Sequence, residues 1–161
     1  MRAFPVALVI AAATFAGAPS TAAQSVVPER DGWRIVETSK DYKTLLSDLK
    51  EAVTANKMGL VTEAGPTEVA AERGETIPGN RVVGVFRNDF AVDIIRAAPA
   101  AMIHAPIRIM VMEEPGGTAT LAYKTPSAVL APYVDEGGAV VENASTALDE
   151  VFDQITQQAA Q

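Results

Sequence analysis

The sequence predicts an α+β domain: a small, mostly antiparallel sheet packed by helices. Three observations carry that expectation. Short stretches rich in β-branched residues, Arg81–Arg87 and Ile107–Val111, have strand composition and strand period. Glu114-Pro-Gly-Gly-Thr118 has the composition of a hairpin turn. Two longer stretches, from Ser39 to Gly59 and from Ala144 to Ile155, repeat apolar residues at helical spacing. No internal repeat or linker interrupts them, so residues 33–158 read as one domain behind a flexible lead, 24–32.

The first 23 residues stand apart. Arg2 precedes an almost uncharged apolar run from Ala3 to Ala16, and Thr21-Ala22-Ala23 offers small residues at a cleavage position. The run is shorter than the roughly 20 residues a membrane-spanning helix needs. The expectation is a secretory signal cleaved after Ala23, a periplasmic or secreted product, and no stable membrane insertion afterwards. Cleavage leaves 138 of the 161 residues and removes only Arg2 among charged groups, taking the net charge from −7 to −8. So acidic a chain repels phosphate backbones, which argues against nucleic acid as a partner. There is no cysteine, which excludes disulfides, thiolate catalysis and cysteine metal sites. A domain of this size buries enough apolar surface to fold without staples.

Trp33-Arg-Ile-Val-Glu37 alternates and reads as a strand. A helix follows from Ser39, its expected cap, with Tyr42, Leu45, Leu46, Leu49, Ala52 and Val53 on one stripe. Lys57 and Gly59 mark its end. Leu60–Ala64 is a short strand, and Pro66–Arg73 a helical turn or two. Arg81–Arg87 is the next strand, set between Pro78-Gly79-Asn80 and Asn88-Asp89. Asn88 or Asp89 caps a helix carrying Phe90, Ile94, Ile95 and Ala98, which Pro99 ends.

Ile107, Ile109 and Val111 then alternate with Arg108, Met110 and Met112, giving a strand with two unlike faces. A three-residue loop with Gly117 left-handed pairs Glu114 with Thr118. That register sets Val111 opposite Leu121 and Ile109 opposite Tyr123, and buries the odd-numbered face. A slip of one residue would oppose the aliphatic row with Thr120, Ala122 and Lys124. Pro126–Tyr133 forms a brief helix, Asp135-Glu-Gly-Gly138 a turn, and the last helix is amphipathic through Ala144, Ala147, Leu148, Val151, Phe152 and Ile155.

Several spaced features now add up. They run from the Ser39–Gly59 helix and Gly-Leu-Val-Thr-Glu63 through Val85-Phe86-Arg87-Asn88 and Ala98-Pro99. They continue through Ala105-Pro106-Ile107-Arg108 and the acidic glycine turn to Tyr123 and Pro126. Over roughly Trp33 to Tyr133 the chain resembles the family called domain of unknown function 302. The resemblance implies an α+β fold similar to a single TATA-binding-protein-like repeat, a homodimer, and no established activity. The chain departs from the family pattern in two places. Arg87-Asn88-Asp89 stands where many members have a Gly-Asn-Pro turn, and Ala64-Gly65 where many carry a histidine.

The chemical inventory is short. His104 is the only histidine, and no nucleophile elbow, zinc-protease, P-loop or dinucleotide motif is present. His104 reads as a structural or exposed imidazole rather than a general base. Met102, His104, Met110 and Met112 have the softness for Cu(I) but not a shared position, so no metal and no cofactor are expected. Glu113-Glu114 reads as a solvated turn, and Tyr123 as a core residue whose hydroxyl needs one partner. Arg108 and Lys124 lie on the hairpin face opposite the aliphatic row.

If a small polar or anionic ligand binds, Arg87, Asn88 and Asp89 at a helix start are the candidate ligand-binding residues. The expected function is an exported, non-catalytic binding or assembly domain that forms a homodimer. The alternative is a small hydrolase or isomerase using carboxylate/arginine chemistry, built on carboxylates such as Glu63 with Arg87, Arg108 or His104.

Overall fold

A computed structural model describes residues 25–161; the expected signal segment lies outside the described residues. The elements are β1 (Trp33–Glu37), α1 (Tyr42–Ala55), β2 (Gly59–Ala64), α2 (Thr67–Glu72), β3 (Asn80–Phe86), α3 (Asn88–Ala97), β4 (Ile107–Glu113), β5 (Ala119–Lys124), α4 (Pro126–Leu130) and α5 (Val134–Ala160). Short 3₁₀ segments, Pro99–His104 and Ala131–Tyr133, follow α3 and α4. The five strands form one antiparallel sheet in the order β1-β5-β4-β3-β2. This is the α+β class the sequence predicts.

The hairpin sets the register of the whole sheet. Glu114 N–H donates to the Thr118 carbonyl at 2.8 Å, Gly117 N–H to the Glu114 carbonyl at 2.9 Å, and Gly117 has φ of +82°. Val111 therefore faces Leu121 and Ile109 faces Tyr123, and all four are buried. Neighbouring strands inherit the parity: Val83 pairs with Ile109 and Val36 with Leu121. Against this aliphatic face pack Leu45, Leu49 and Val53 of α1 and Val141, Leu148, Phe152 and Ile155 of α5. Tyr123 keeps its ring in that core and donates its hydroxyl to Asp153 at 2.6 Å. Burial first, and then the Asp153 carboxylate, push the phenol well above its ordinary value.

Local chemistry corrects the sequence reading at several boundaries. Asp41, not Ser39, caps α1: its carboxylate accepts from Lys43 and Thr44 N–H and from the Thr44 hydroxyl. One oxygen can then meet two orphan helix donors while the other holds Thr44. At the far end Lys57, not Gly59, is left-handed, with φ of +59°. Met58 N–H closes on the Val53 carbonyl and Lys57 N–H on the Thr54 carbonyl, both at 3.0 Å, so the helix ends in a Schellman turn without glycine. Neither Asn88 nor Asp89 caps α3; the cap position is Arg87, which makes no side-chain capping bond. The 135–138 turn is absorbed into α5, which breaks at Gly138 (φ 55°, ψ −144°).

Candidate binding face

The two long helices, α1 and α5, pack on one side of the sheet, and α4 reaches the other only at its border, through Val129. Strand parity places Trp33 and Ile35 of β1, Thr120, Ala122 and Lys124 of β5, Arg108, Met110 and Met112 of β4, and Val82 and Gly84 of β3 on the other. That face has the composition of a surface meant to be partly dry: thioethers, small residues and one tryptophan, with cations at one end.

Part of it is covered by the lead. Ser25 Oγ and Val26 N–H donate to the Glu114 carboxylate at 2.6 and 2.9 Å, beside the hairpin turn. At the other end Thr125 N–H donates to the Gly32 carbonyl at 2.8 Å, and Trp33 N–H to the Arg30 carbonyl at 3.0 Å. Residues 25–32 thus run the length of the sheet without helix or strand of their own. The clefts they share with it, one lined by Ser25, Glu37 and Thr120 and the other by Arg30, Trp33 and Ile35, lie on the helix-free side. Burial works to raise the Glu114 carboxyl, and the hydrogen bonds from Ser25 and Val26 outweigh it, leaving the group below the usual carboxylate value. Glu113 is likewise engaged, accepting from Gly79 N–H at 2.6 Å. The acidic pair is therefore a double clamp and not a solvated turn.

Beyond the lead the face stays open as a groove of about 520 Å³. Its floor is Val82, Met110 and Ala122; Trp33, His104, Arg108 and Lys124 also line it. Beside Val82 on β3, Gly84 lets Thr62 and Pro106 approach the strand closely, since a Cβ there would strike the Thr62 hydroxyl and meet Pro106 Cγ at 2.7 Å. The volume lies within the range of small-molecule sites.

The corner that sequence reasoning favoured is built differently. Arg87 Nε donates to Asp89 Oδ1 at 2.8 Å, and the same oxygen accepts from Phe90 N–H at 3.0 Å. The guanidinium carbon lies 4.1 Å from the Phe90 ring centroid. Burial acts to raise the Asp89 carboxyl, but Arg87 and the Phe90 N–H outweigh it and hold the group below its ordinary value. The chain's own carboxylate thus engages Arg87 Nε and the Phe90 N–H, and Asn88 enters the helix as its first residue. The adjacent cavity, lined by Arg87, Phe90, Met102, His104 and Phe152 among others, holds only about 40 Å³. That is room for one or two waters, not for a metabolite.

The other candidates separate. His104 Nε2 and the Tyr133 hydroxyl are 3.0 Å apart, with the rings edge-on. Met102 packs against the helix-side core, Met110 lines the groove and Met112 Sδ accepts from Asn80 at 3.3 Å. Among the described residues no three His, Asp or Glu side chains converge on a metal position. Glu63 lies not with Arg87, Arg108 or His104 but at the β2 edge, 2.7 Å from Lys50 Nζ and 3.5 Å from Arg81 Nε. Arg81 also pairs with Glu68. Arg108 is on the opposite side of the sheet, since Glu63 pairs with Val83 and Arg108 with Gly84.

This geometry can be set beside known proteins. The family profile described as "Domain of unknown function DUF302" matches residues 34–156, most of the chain. The chain belongs to the DUF302 family. A crystal structure of an uncharacterized conserved DUF302 protein from Bacillus stearothermophilus superposes with a TM-score of 0.70 at 15% identity, over 81% of this chain and 99% of that one. At that identity the likeness is one of fold. No curated protein matches the sequence. The DUF302 frame accounts for strand order and packing and assigns no chemistry to the groove. Among the described residues no helix is long and apolar enough to cross a membrane.

Proposed function

We propose that this DUF302 domain is an exported, non-catalytic binding and assembly module whose binding surface is the helix-free face of the sheet. One observation carries the reading: a groove of about 520 Å³ with an apolar floor lies open on the face that α1 and α5 leave uncovered. Soluble domains rarely leave such a patch exposed without a use for it. Export rests on the order of Arg2, apolar run and small residues in the first 23 positions. Assembly as a homodimer has support of its own in β2, an edge strand exposed along its whole length with Leu60 and Val61 in solvent. The enzyme alternative draws no support from Glu63, which is paired with Lys50 and Arg81 at that same edge.

Native mass spectrometry of the protein purified from its own host tests both parts. The expected species is a dimer of chains beginning at Gln24 that retains a small molecule, released when the face is blocked by Met110→Lys. A monomer carrying nothing, from preparations that never saw denaturant, contradicts the reading.

A further inference from the structure

The charges around the groove are not those of the chain as a whole. The protein carries a net charge of −7, yet no carboxylate lines the groove, and two cations do. Arg108 and Lys124 sit on adjacent antiparallel strands, one step beyond the Ile109–Tyr123 pair, and strand parity turns both toward the helix-free side. Like charges placed opposite each other across a strand pair destabilise a sheet. Among the described residues neither makes an ion pair, whereas Arg34, Lys40, Lys50, Arg81 and Arg87 all do. Lys124 is flanked on its other side by its β1 partner, Trp33. From this cationic end the floor runs inward over Met110, Ala122 and Val82.

We propose that the groove takes a small amphipathic anion, a free alkyl carboxylate. The carboxylate sits between Arg108 and Lys124, and the chain lies over Met110 and Ala122 beside the Trp33 ring. An anion there relieves the cross-strand repulsion, and the alkyl chain dries the thioether floor; a neutral or cationic amphiphile gains only the second. The inference rests on the reading of this face as the binding surface, and it adds the class of ligand.

Trp33 reports on it directly, because it is the chain's only tryptophan and lines the groove. The test titrates the folded protein with decanoate, decanol and decyltrimethylammonium below their micelle concentrations, following Trp33 emission. Decanoate is expected to shift the emission saturably, decanol at least tenfold more weakly, and the cation not at all. Arg108→Ser combined with Lys124→Ser is expected to weaken decanoate at least tenfold and leave decanol unchanged, with the unfolding midpoint no lower than the parent's. Equal responses to all three amphiphiles overturn the carboxylate while leaving the binding face in place. No response to any of them, with Trp33 still quenched by acrylamide, overturns both. An emission shift that follows protein dilution instead of decanoate overturns the proposal in favour of a second copy on this face.

Discussion

The two faces of this sheet share the same five strands and differ in almost everything else. On the helix side Val83, Ile109, Val111 and Leu121 are fully buried and meet only aliphatic and aromatic neighbours. On the other side Met110 and Val82 are half-exposed, Arg108 and Lys124 are in solvent, and Gly84, Thr120 and Ala122 are buried. On the proposed reading, the difference teaches where stability and binding are kept apart. Residues one position apart along a strand meet opposite surroundings, and a single turn decides which meets which.

The comparison breaks most visibly in the core. Leu121→Ala should cost about 3 kcal/mol, because a fully buried leucine leaves a cavity its neighbours only partly fill. Chemical denaturation followed by circular dichroism measures it. A loss under about 1 kcal/mol, comparable with a surface truncation, would mean the helix side is not the packed one.

A smaller effect tests the turn. Gly117→Ala should cost about 1 kcal/mol, since φ there is positive and no atom lies within 4 Å of an added Cβ, which makes the penalty one of backbone alone. Gly116 has equally open surroundings without positive φ, so Gly116→Ala should lie within about 0.5 kcal/mol of the parent. Equal midpoints for the two variants would show that the register does not depend on a left-handed Gly117.

The smallest effect concerns the lead. Glu114 is held below its ordinary value when folded, so its stabilisation is complete above the unfolded carboxylate pKa and lost as pH falls through the folded one. Denaturation midpoints across the acidic range should therefore fall less steeply for Glu114→Gln than for the parent. Parallel curves would mean that the clamp on Ser25 and Val26 does not form in solution.

Much of this was legible in the residues, for reasons the structure makes plain. Alternation in Ile107–Met112 and the glycine turn after Pro115 are local signals, and each sufficed to set parity across the hairpin. The ends of α1 were not legible, because Ser39 and Asp41 are both good caps and only the geometry of Thr44 selects the second. Lys57 in the left-handed region was missed because Gly59, two residues on, is the residue that conformation favours. The groove was half visible: Arg108 and Lys124 could be assigned to the non-core face, but its openness depends on α1 and α5 choosing the same side. At Arg87-Asn88-Asp89 the sequence lists donors without saying which are engaged, and Asp89 engages two of them, Arg87 Nε and the Phe90 N–H. The Glu114 clamp joins positions 89 apart in the chain, beyond any local pattern.

The central claim is that the helix-free face binds and does not stabilise, and Met110→Lys addresses it most directly. The substitution puts a charge at the middle of the groove floor, beside Ala122 and Val82. Measured side by side on one preparation, stability and the retained small molecule should part company: stability changes by less than about 1 kcal/mol, as at a half-exposed site outside the core, while the molecule is lost. A variant that unfolds, or one that keeps both its stability and its ligand, would contradict the account.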